Sequence, residues 1–340
     1  MPQEFKLAIV GATGLVGRTI LAILEQRNFP VKTVYVLASE RSIGSSLSFK
    51  GESLLLENLA EFDFHKVDLV FFSAGSTISL EYVPKAVAAG CLVIDNTASF
   101  RYEEQVPLVI PEVNAEALKH YPCSGIIANP NCSTIQLLLV VKPIHTAVGV
   151  TRINVSTYQS VSGAGRKAVQ ELIEQTGRLI NGLAVEAKAF SSQIAFNVIP
   201  HIDHFQENGY TREEMKMLWE TRKILNDDRI VVNATAVRVP VLYGHSESVH
   251  LETKRKISVT KVKQLLKKAP GLVVLDRRAT RGYPMPVTHS AHHDEVFVGR
   301  IREDISHPQG LNFWIVADNI RKGAALNAVQ IAELMIRDHF

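Results

Sequence analysis

A short apolar run, Lys6 to Val10, leads without a spacer into Gly11-Ala-Thr-Gly14-Leu-Val-Gly17. Leu15, Ile20, Leu21 and Leu24 then recur at helical spacing, so the order is strand, glycine turn, amphipathic helix. Each glycine has a physical use in that order. The first permits a tight turn, the second lets the backbone approach a pyrophosphate, and the third lets the helix lie against a sheet. The helix N-terminus adds unpaired N–H groups and partial positive charge for phosphate. The spacing is GxxGxxG, a variant of the commoner GxGxxG, and its specificity comes from the strand before it and the helix after it. It predicts an N-terminal doubly wound, Rossmann-type nucleotide domain in an α/β protein. Gly11, Thr13, Gly14, Leu15, Val16 and Gly17 are its candidate cofactor contacts.

The following segments keep the same rhythm. Strand patterns at Val34 to Ala38, Asp68 to Ser73 and Leu92 to Asp95 alternate with a helical stretch from Ile78 to Ala89. Such alternation implies a parallel sheet with right-handed crossovers, and ligands at the carboxyl ends of its strands. Ser73 and Gly75 stand at one of those ends and join the cofactor set. After the second strand comes Ser39-Glu-Arg-Ser42. Ser39, Arg41 and Ser42 suit the 2′-phosphate of NADP, whereas Glu40, pointing inward, would suit the free ribose of NAD. Arg101, past the strand that ends at Asp95, either grips an anion or is a surface charge.

Length and charge narrow the field. A chain of 340 residues exceeds one ordinary core, so two domains are expected. The net charge of +3, from 37 basic and 34 acidic residues, gives no reason to expect a nucleic-acid or membrane partner. The lysines from Lys254 to Lys268 read in part as the solvated face of a helix. With no signal peptide ahead of the first strand and no run of eighteen apolar residues, a soluble cytoplasmic protein is expected. Cys91, Cys123 and Cys132 are odd in number and follow no zinc spacing, which fits a reduced compartment and a free thiol.

Cys132 has the setting of a nucleophile. Gly125 to Ala128 reads as a strand, Asn129-Pro-Asn-Cys-Ser-Thr134 follows, and Ile135 to Val141 is helical. A thiol in the first turn of that helix is favoured as thiolate, and the same N–H groups can hold an oxyanion. Asn131 as a simple N-cap and Cys132 as an inert core thiol are the alternatives. Cys91 lies beside an apolar strand and Cys123 in a loop after Pro122, without such surroundings.

The second half reads as a mixed α+β domain. Arg152 to Tyr158 alternates like a strand, the loop Gln159 to Arg166 carries Ser162-Gly-Ala-Gly-Arg166, and Lys167 to Leu179 is helical. Thr211 to Glu214 fits a capping box, in which Glu214 closes a helix end. Glu213 and Lys216 then share one helix face, as a surface ion pair or a ligand pair. Ala234 to Leu242 reads as a strand containing Arg238, which needs an anionic partner and presents a fork suited to a carboxylate. His245 falls in a turn-like segment and is a candidate general acid–base. His289, His292 and His293 near Asp294, and His201 and His204 beside Asp203, fit no standard metal site, so no metal is expected. Glu295 to Arg302 and Leu311 to Ala317 read as strands, and Arg321 to Arg337 as a final helix.

Taken in order, these motifs resemble the aspartate-semialdehyde dehydrogenase family. The landmarks are Gly11 to Gly14, Ser39 to Ser42, Asp95 to Arg101, Asn129 to Thr134, Thr157 to Ser160, Asn197 to Pro200, Glu213 to Lys216, Arg238 to His245 and Asp318 to Ala325. They span nearly the whole chain. The resemblance implies NADP as cofactor, Cys132 as the nucleophile of a thioester mechanism, His245 as its acid–base partner and Gln159 as an orienting residue. It places Arg101, Asn131, Glu213, Lys216 and Arg238 on substrate or phosphate, and Ser162, Gly163 and Asn319 near the cofactor. The reaction it implies is reduction of L-aspartyl 4-phosphate to the 4-semialdehyde, in lysine, diaminopimelate, threonine and methionine biosynthesis. The final helix would rejoin the nucleotide domain, giving 1–130 with 316–340 for NADP and 131–315 for catalysis and homodimerisation. Two other readings are N-acetyl-γ-glutamyl-phosphate reductase, whose cysteine context differs, and a non-catalytic paralogue. The filled catalytic positions argue against the latter.

Overall fold

The structure, a computed structural model, describes residues 4–338, with side chains at all of these but 122 and 123. The Cys123 side chain lies outside the described residues. From the N-terminus the chain forms β1 (Phe5–Val10), α1 (Leu15–Gln26), β2 (Val31–Ala38), β3 (Ser46–Phe49), β4 (Glu52–Asn58), β5 (Leu69–Phe72), α2 (Ser76–Ala88), β6 (Leu92–Asp95), α3 (Pro111–Asn114) and β7 (Ile126–Ala128). Their sheet runs β3-β4-β2-β1-β5-β6-β7 and is parallel except for the β3–β4 hairpin. Leu7, Ala8, Ile9 and Val10 of β1 are all fully buried, as expected of a strand covered on both faces. Because β2 and β5 flank β1 on opposite sides, the strand order reverses there, and a crevice opens at its carboxyl end. The β3–β4 hairpin has no counterpart in the sequence reading. Leu47 and Phe49 of β3 alternate with exposed serines, but Leu54, Leu55 and Leu56 of β4 are consecutive with only Leu56 buried, so no one period spans the hairpin.

The chain continues through α4 (Cys132–Val148), β8 (Val150–Gln159), α5 (Arg166–Ile180), α6 (Arg212–Leu225), β9 (Val231–Arg238), β10 (His245–Thr253), α7 (Val259–Lys268), β11 (Leu272–Val274), β12 (Val296–Glu303) and β13 (Gly310–Ala317). A second, mixed sheet runs β11-β12-β13-β10-β8-β9. α4 crosses β8, β10, β12 and β13. It is apolar nearly all round, with Leu137, Leu138, Val140, Val141 and Ile144 fully buried, the pattern of a helix enclosed by its own domain. Two expectations are corrected here. The strand read as 234–242 ends at Arg238, because Pro240 has no N–H to continue a ladder. His245 is not in a turn: it opens β10 and pairs with Ala317. The polar run His-Ser-Glu-Ser had hidden that strand.

A π-helical turn, Arg321–Ala325, precedes α8 (Leu326–Asp338). α8 packs on α1 and α3. Asn327 Nδ2 donates to Val109 O at 2.9 Å and to Asn129 Oδ1 at 2.7 Å. Two compact units result: one runs to Asn131 and resumes at Ala324, and the other spans Cys132–Gly323. The return comes past 315/316 because β13 stays in the second sheet to Ala317. Among the described residues no helix is long and apolar enough to cross a membrane.

Candidate active site

In the first unit, Gly11 has φ +82°, and a Cβ there would lie 2.9 Å from the backbone of Ser73 and Ala74. A Cβ on Gly17 would come within 2.4 Å of Gly11 O, so α1 sits against its own turn as the fingerprint requires. Gly14 caps α1 without a side-chain hydrogen bond, leaving the N–H groups of Leu15, Val16 and Gly17 to an anion. The turn borders a cavity of about 570 Å³ lined by Thr13, Ser39, Glu40, Asn58, Ser73 and Tyr82, among others. Glu40 lines this cavity, whereas Arg41 and Ser42 follow on a one-turn helix and Arg41 is exposed. Gly75, at φ +95°, caps α2. Arg101 is buried, and its Nη2 donates to Asn96 O at 2.9 Å, so it is no surface charge. Asn131, also buried, ends this stretch of the unit.

In the second unit, Cys132 is the first residue of α4 and is half-buried. A Cβ on Gly323 would lie 2.8 Å from Cys132 Cβ, so the turn after Asp318 lies close against Cys132 where a side chain would crowd it. Asp318 holds that turn by accepting from the N–H groups of Ile320 (2.8 Å), Arg321 (2.9 Å) and His292 (2.7 Å). Gln159 Nε2 donates to Ser133 Oγ and to Glu213 Oε1, both at 3.1 Å. Glu213 Oε2 accepts from Lys216 Nζ at 2.9 Å, and Lys216 also reaches Asp203 Oδ2 at 2.7 Å. Thr211 and Glu214 complete both bonds of the capping box, which leaves Glu213 turned inward and buried. The pair is therefore no surface ion pair. Burial alone would lower the Lys216 pKa, but the two carboxylates outweigh it and hold the ammonium above its ordinary value.

Ser160 joins the remaining groups through its backbone. Its carbonyl accepts from Arg238 Nη1 at 2.8 Å, and its N–H donates to His245 Nδ1 at 3.0 Å. A ring nitrogen that accepts carries no proton, so neutral His245 bears its proton on Nε2. Nε2 has no protein partner among the described residues. Burial, and then the Arg238 charge, push the His245 pKa down to about 3, so the ring stays neutral. Burial likewise draws Arg238 below its ordinary value, while Glu213 and Cys132 oppose this. Asn319 Oδ1 accepts from Ser160 Oγ (2.9 Å), Ser162 Oγ (3.1 Å) and Gly244 N–H (3.0 Å). A Cβ on Gly163 would lie 3.0 Å from Arg238 Nη1 and 3.3 Å from His245 Nε2. Two residues along β10, Glu247 is fully buried. Its carboxyl is raised well above the usual range by that burial, with Gln136 facing it.

Cys132, Gln159, Glu213, Lys216, Arg238 and His245 thus share one neighbourhood, with Ser162, Gly163 and Asn319 beside His245. Ser133, Ser160, Asp203 and Asp318 were not singled out for this role. Ser160 reaches His245 and Arg238 through its backbone, which nearly any residue type could supply, and its hydroxyl contacts Asn319, while Asp203 drew attention only beside two histidines. Among the described residues no group of three or more His, Cys, Asp or Glu is placed to hold a metal ion. Cys91 is a contrast to Cys132. It is buried, its Sγ donates toward Phe64 O and Val67 O, and burial, with Asp68 adding, pushes its pKa up to about 11. A cavity of about 690 Å³ along α5 holds none of these side chains.

Two family models match the chain. The semialdehyde dehydrogenase NAD binding domain covers residues 6–121, and the semialdehyde dehydrogenase dimerisation domain covers 141–322. The aspartate-semialdehyde dehydrogenase of Legionella pneumophila is 59% identical over 338 residues, 99% of this chain and 97% of that protein. The chain belongs to the aspartate-semialdehyde dehydrogenase family. As a member it is an oxidoreductase with a Rossmann-type nucleotide-binding domain. Aspartate-semialdehyde dehydrogenase 2 of Vibrio cholerae is 54% identical over the full length of both chains. The crystal structure of aspartate semialdehyde dehydrogenase II from Vibrio cholerae complexed with ASA matches with a TM-score of 0.97 at 53% identity, over 99% of this chain and 100% of that one. The Candida albicans aspartate semialdehyde dehydrogenase with NADP matches at 0.77 and 25% identity, over 98% of each chain.

Proposed function

We propose that this family member reduces L-aspartyl 4-phosphate to L-aspartate 4-semialdehyde with NADPH, through a thioester on Cys132. The observation that carries this is the gathering of a thiol at a helix N-terminus with Arg238, Glu213 and His245 in one electrostatic neighbourhood. The Cys132 thiolate attacks the acyl carbon. An S–C bond forms, the C–O bond to the phosphoryl group breaks, and inorganic phosphate leaves. The bound cofactor supplies the hydride that reduces the thioester. The tetrahedral oxyanion then collapses to the aldehyde and expels the Cys132 thiolate, a collapse that needs no proton, because the one proton the overall reduction takes up goes to the departing phosphate. His245 therefore serves best as a fixed hydrogen-bond donor to that oxygen through Nε2–H, which its depressed pKa supports.

Arg238 has one nitrogen tied to Ser160 O, and the rest of its fork suits the α-carboxylate. Glu213 suits the α-ammonium group and Lys216 the phosphoryl group. Ser39, Arg41 and Ser42 are proposed for the 2′-phosphate of NADP, with Thr13 and the first turn of α1 for the pyrophosphate. The NADP complex of the Candida relative supports that choice. A homodimer is supported by the match to a dimerisation domain, and a cytoplasmic setting suits a thiol that must stay reduced.

The test is NADPH formation from aspartate semialdehyde, phosphate and NADP. Cys132→Ala should abolish it while NADP still binds, and a thiol alkylator should inactivate the parent at Cys132, with substrate protecting. Substantial turnover by the alanine variant would end the thioester reading. Preference for N-acetylglutamate semialdehyde would end the substrate assignment.

A further inference from the structure

We propose that Asp203 is a positioning residue for this reaction, holding the Lys216 ammonium where the substrate's phosphoryl group or free phosphate binds. The inference rests on reading Lys216 as the phosphate-side cation. A lysine has four stem torsions and three donors, so by itself it is a mobile point charge. Here two of its donors are taken, by Asp203 at 2.7 Å and by Glu213 at 2.9 Å. Two anchors restrict where Nζ lies and leave the third N–H for an incoming oxygen. The side chains of Lys216 and Asp203 are 12% and 24% exposed, so solvent and salt screen the pair less than a surface pair.

The backbone around Asp203 is built for that contact. Its φ of +68° lies in the left-handed region, which non-glycine residues seldom adopt and which Asp tolerates better than most. Asp203 Oδ1 accepts the His204 N–H at 2.9 Å, which holds the carboxylate while Oδ2 faces Lys216. The loop is tied down on both sides. Ile199 exchanges two hydrogen bonds with Arg238, at 2.9 and 2.8 Å, and His204 O accepts from Arg212 N–H at the start of α6 at 2.7 Å. One short segment thereby spaces the carboxylate-binding arginine from the phosphate-side lysine.

Charge balance gives Asp203 a second effect. Asp203, Glu213, Lys216 and Arg238 are two anions and two cations, so these four charges cancel before substrate arrives. Without Asp203 the Lys216 charge would fall on Glu213 alone, the group that must also receive the α-ammonium. Asp203 keeps the two ends of the substrate from competing for one carboxylate.

The experiment measures KM for inorganic phosphate in the oxidative direction for the parent, Asp203→Ala, Asp203→Asn, Lys216→Gln and the Asp203→Ala/Lys216→Gln double variant. Asp203→Ala should raise KM for phosphate roughly tenfold, the effect of losing one charge-assisted hydrogen bond. KM for NADP should stay at the parent value. Asp203→Asn, nearly isosteric and still an acceptor, should recover part of the loss. In the Lys216→Gln background, Asp203→Ala should add nothing, because its effect runs through the missing ammonium. An unchanged phosphate KM in Asp203→Ala, an equal effect in both backgrounds, or a parallel rise in KM for NADP would overturn the proposal. If Lys216→Gln itself leaves phosphate KM unchanged in an active enzyme, the reading of Lys216 fails and takes the proposal with it. That result is distinct from a failure of Asp203 alone.

Discussion

Gly163→Ala should disable the site without altering any reacting group. The φ of Gly163 lies outside the left-handed region, so alanine meets no backbone penalty there. The cost comes from the added methyl, which would lie 3.0 Å from Arg238 Nη1, 3.2 Å from His245 Cε1 and 3.3 Å from His245 Nε2. Neither neighbour can withdraw freely, because Arg238 Nη1 is bonded to Ser160 O at 2.8 Å and His245 Nδ1 to Ser160 N–H at 3.0 Å. The ring must shift by a few tenths of an ångström, and the methyl then covers the nitrogen assigned to the oxyanion. Removing one such donor costs about 10²–10³ in kcat. A partial displacement should cost roughly 10- to 100-fold. Overpacking should destabilise the fold by about 1 kcal/mol, or a few degrees of Tm. Steady-state NADPH formation together with a thermal melt would measure both. The phosphate KM should stay within about twofold, since the methyl does not reach Lys216. A folded variant with kcat near that of the parent would refute the role given to His245 Nε2. A collapse of Tm would place the lesion in packing instead.

His245 also predicts a pH signature. Its pKa is near 6.5 when unfolded and about 3 in the folded chain, so below pH 6.5 the unfolded state binds a proton that the native state refuses. Stability is then lost as pH falls: this group alone should cost the parent about 2 kcal/mol between pH 8 and pH 5. Denaturant melts of His245→Asn should show a smaller loss by about that amount, and equal losses would mean the native ring protonates. Arg41→Ala should raise KM for NADP about tenfold and leave KM for NAD unchanged. Equal KM values for the two cofactors in the parent would show that Glu40 faces the ribose.

What could be read from the sequence is what short-range sterics and periodicity carry. The strand–glycine–helix order at Lys6 to Leu24, the thiol at the head of α4 and the reciprocal capping box of Thr211 and Glu214 each depend on neighbours within a few residues. The spacing of their residue types was therefore enough. Resemblance extended that reading to a second domain and a set of site residues, but not to their state. Tertiary structure decided that His245 begins a strand and keeps its proton on Nε2, because the N–H that fixes the tautomer belongs to Ser160, 85 residues away in sequence. It also decided that Arg238 and His245 share one backbone residue, that Gly163 leaves them room, and that Lys216 has a second carboxylate in Asp203. The β3–β4 hairpin escaped for a related reason: an edge hairpin is stabilised by the strand it pairs with, and its own apolar residues, alternating in β3 but consecutive from Leu54 to Leu56 in β4, set no single period. Side chains that converge from separate elements leave no mark in spacing, since the loops that bring them together are set by packing across the whole unit.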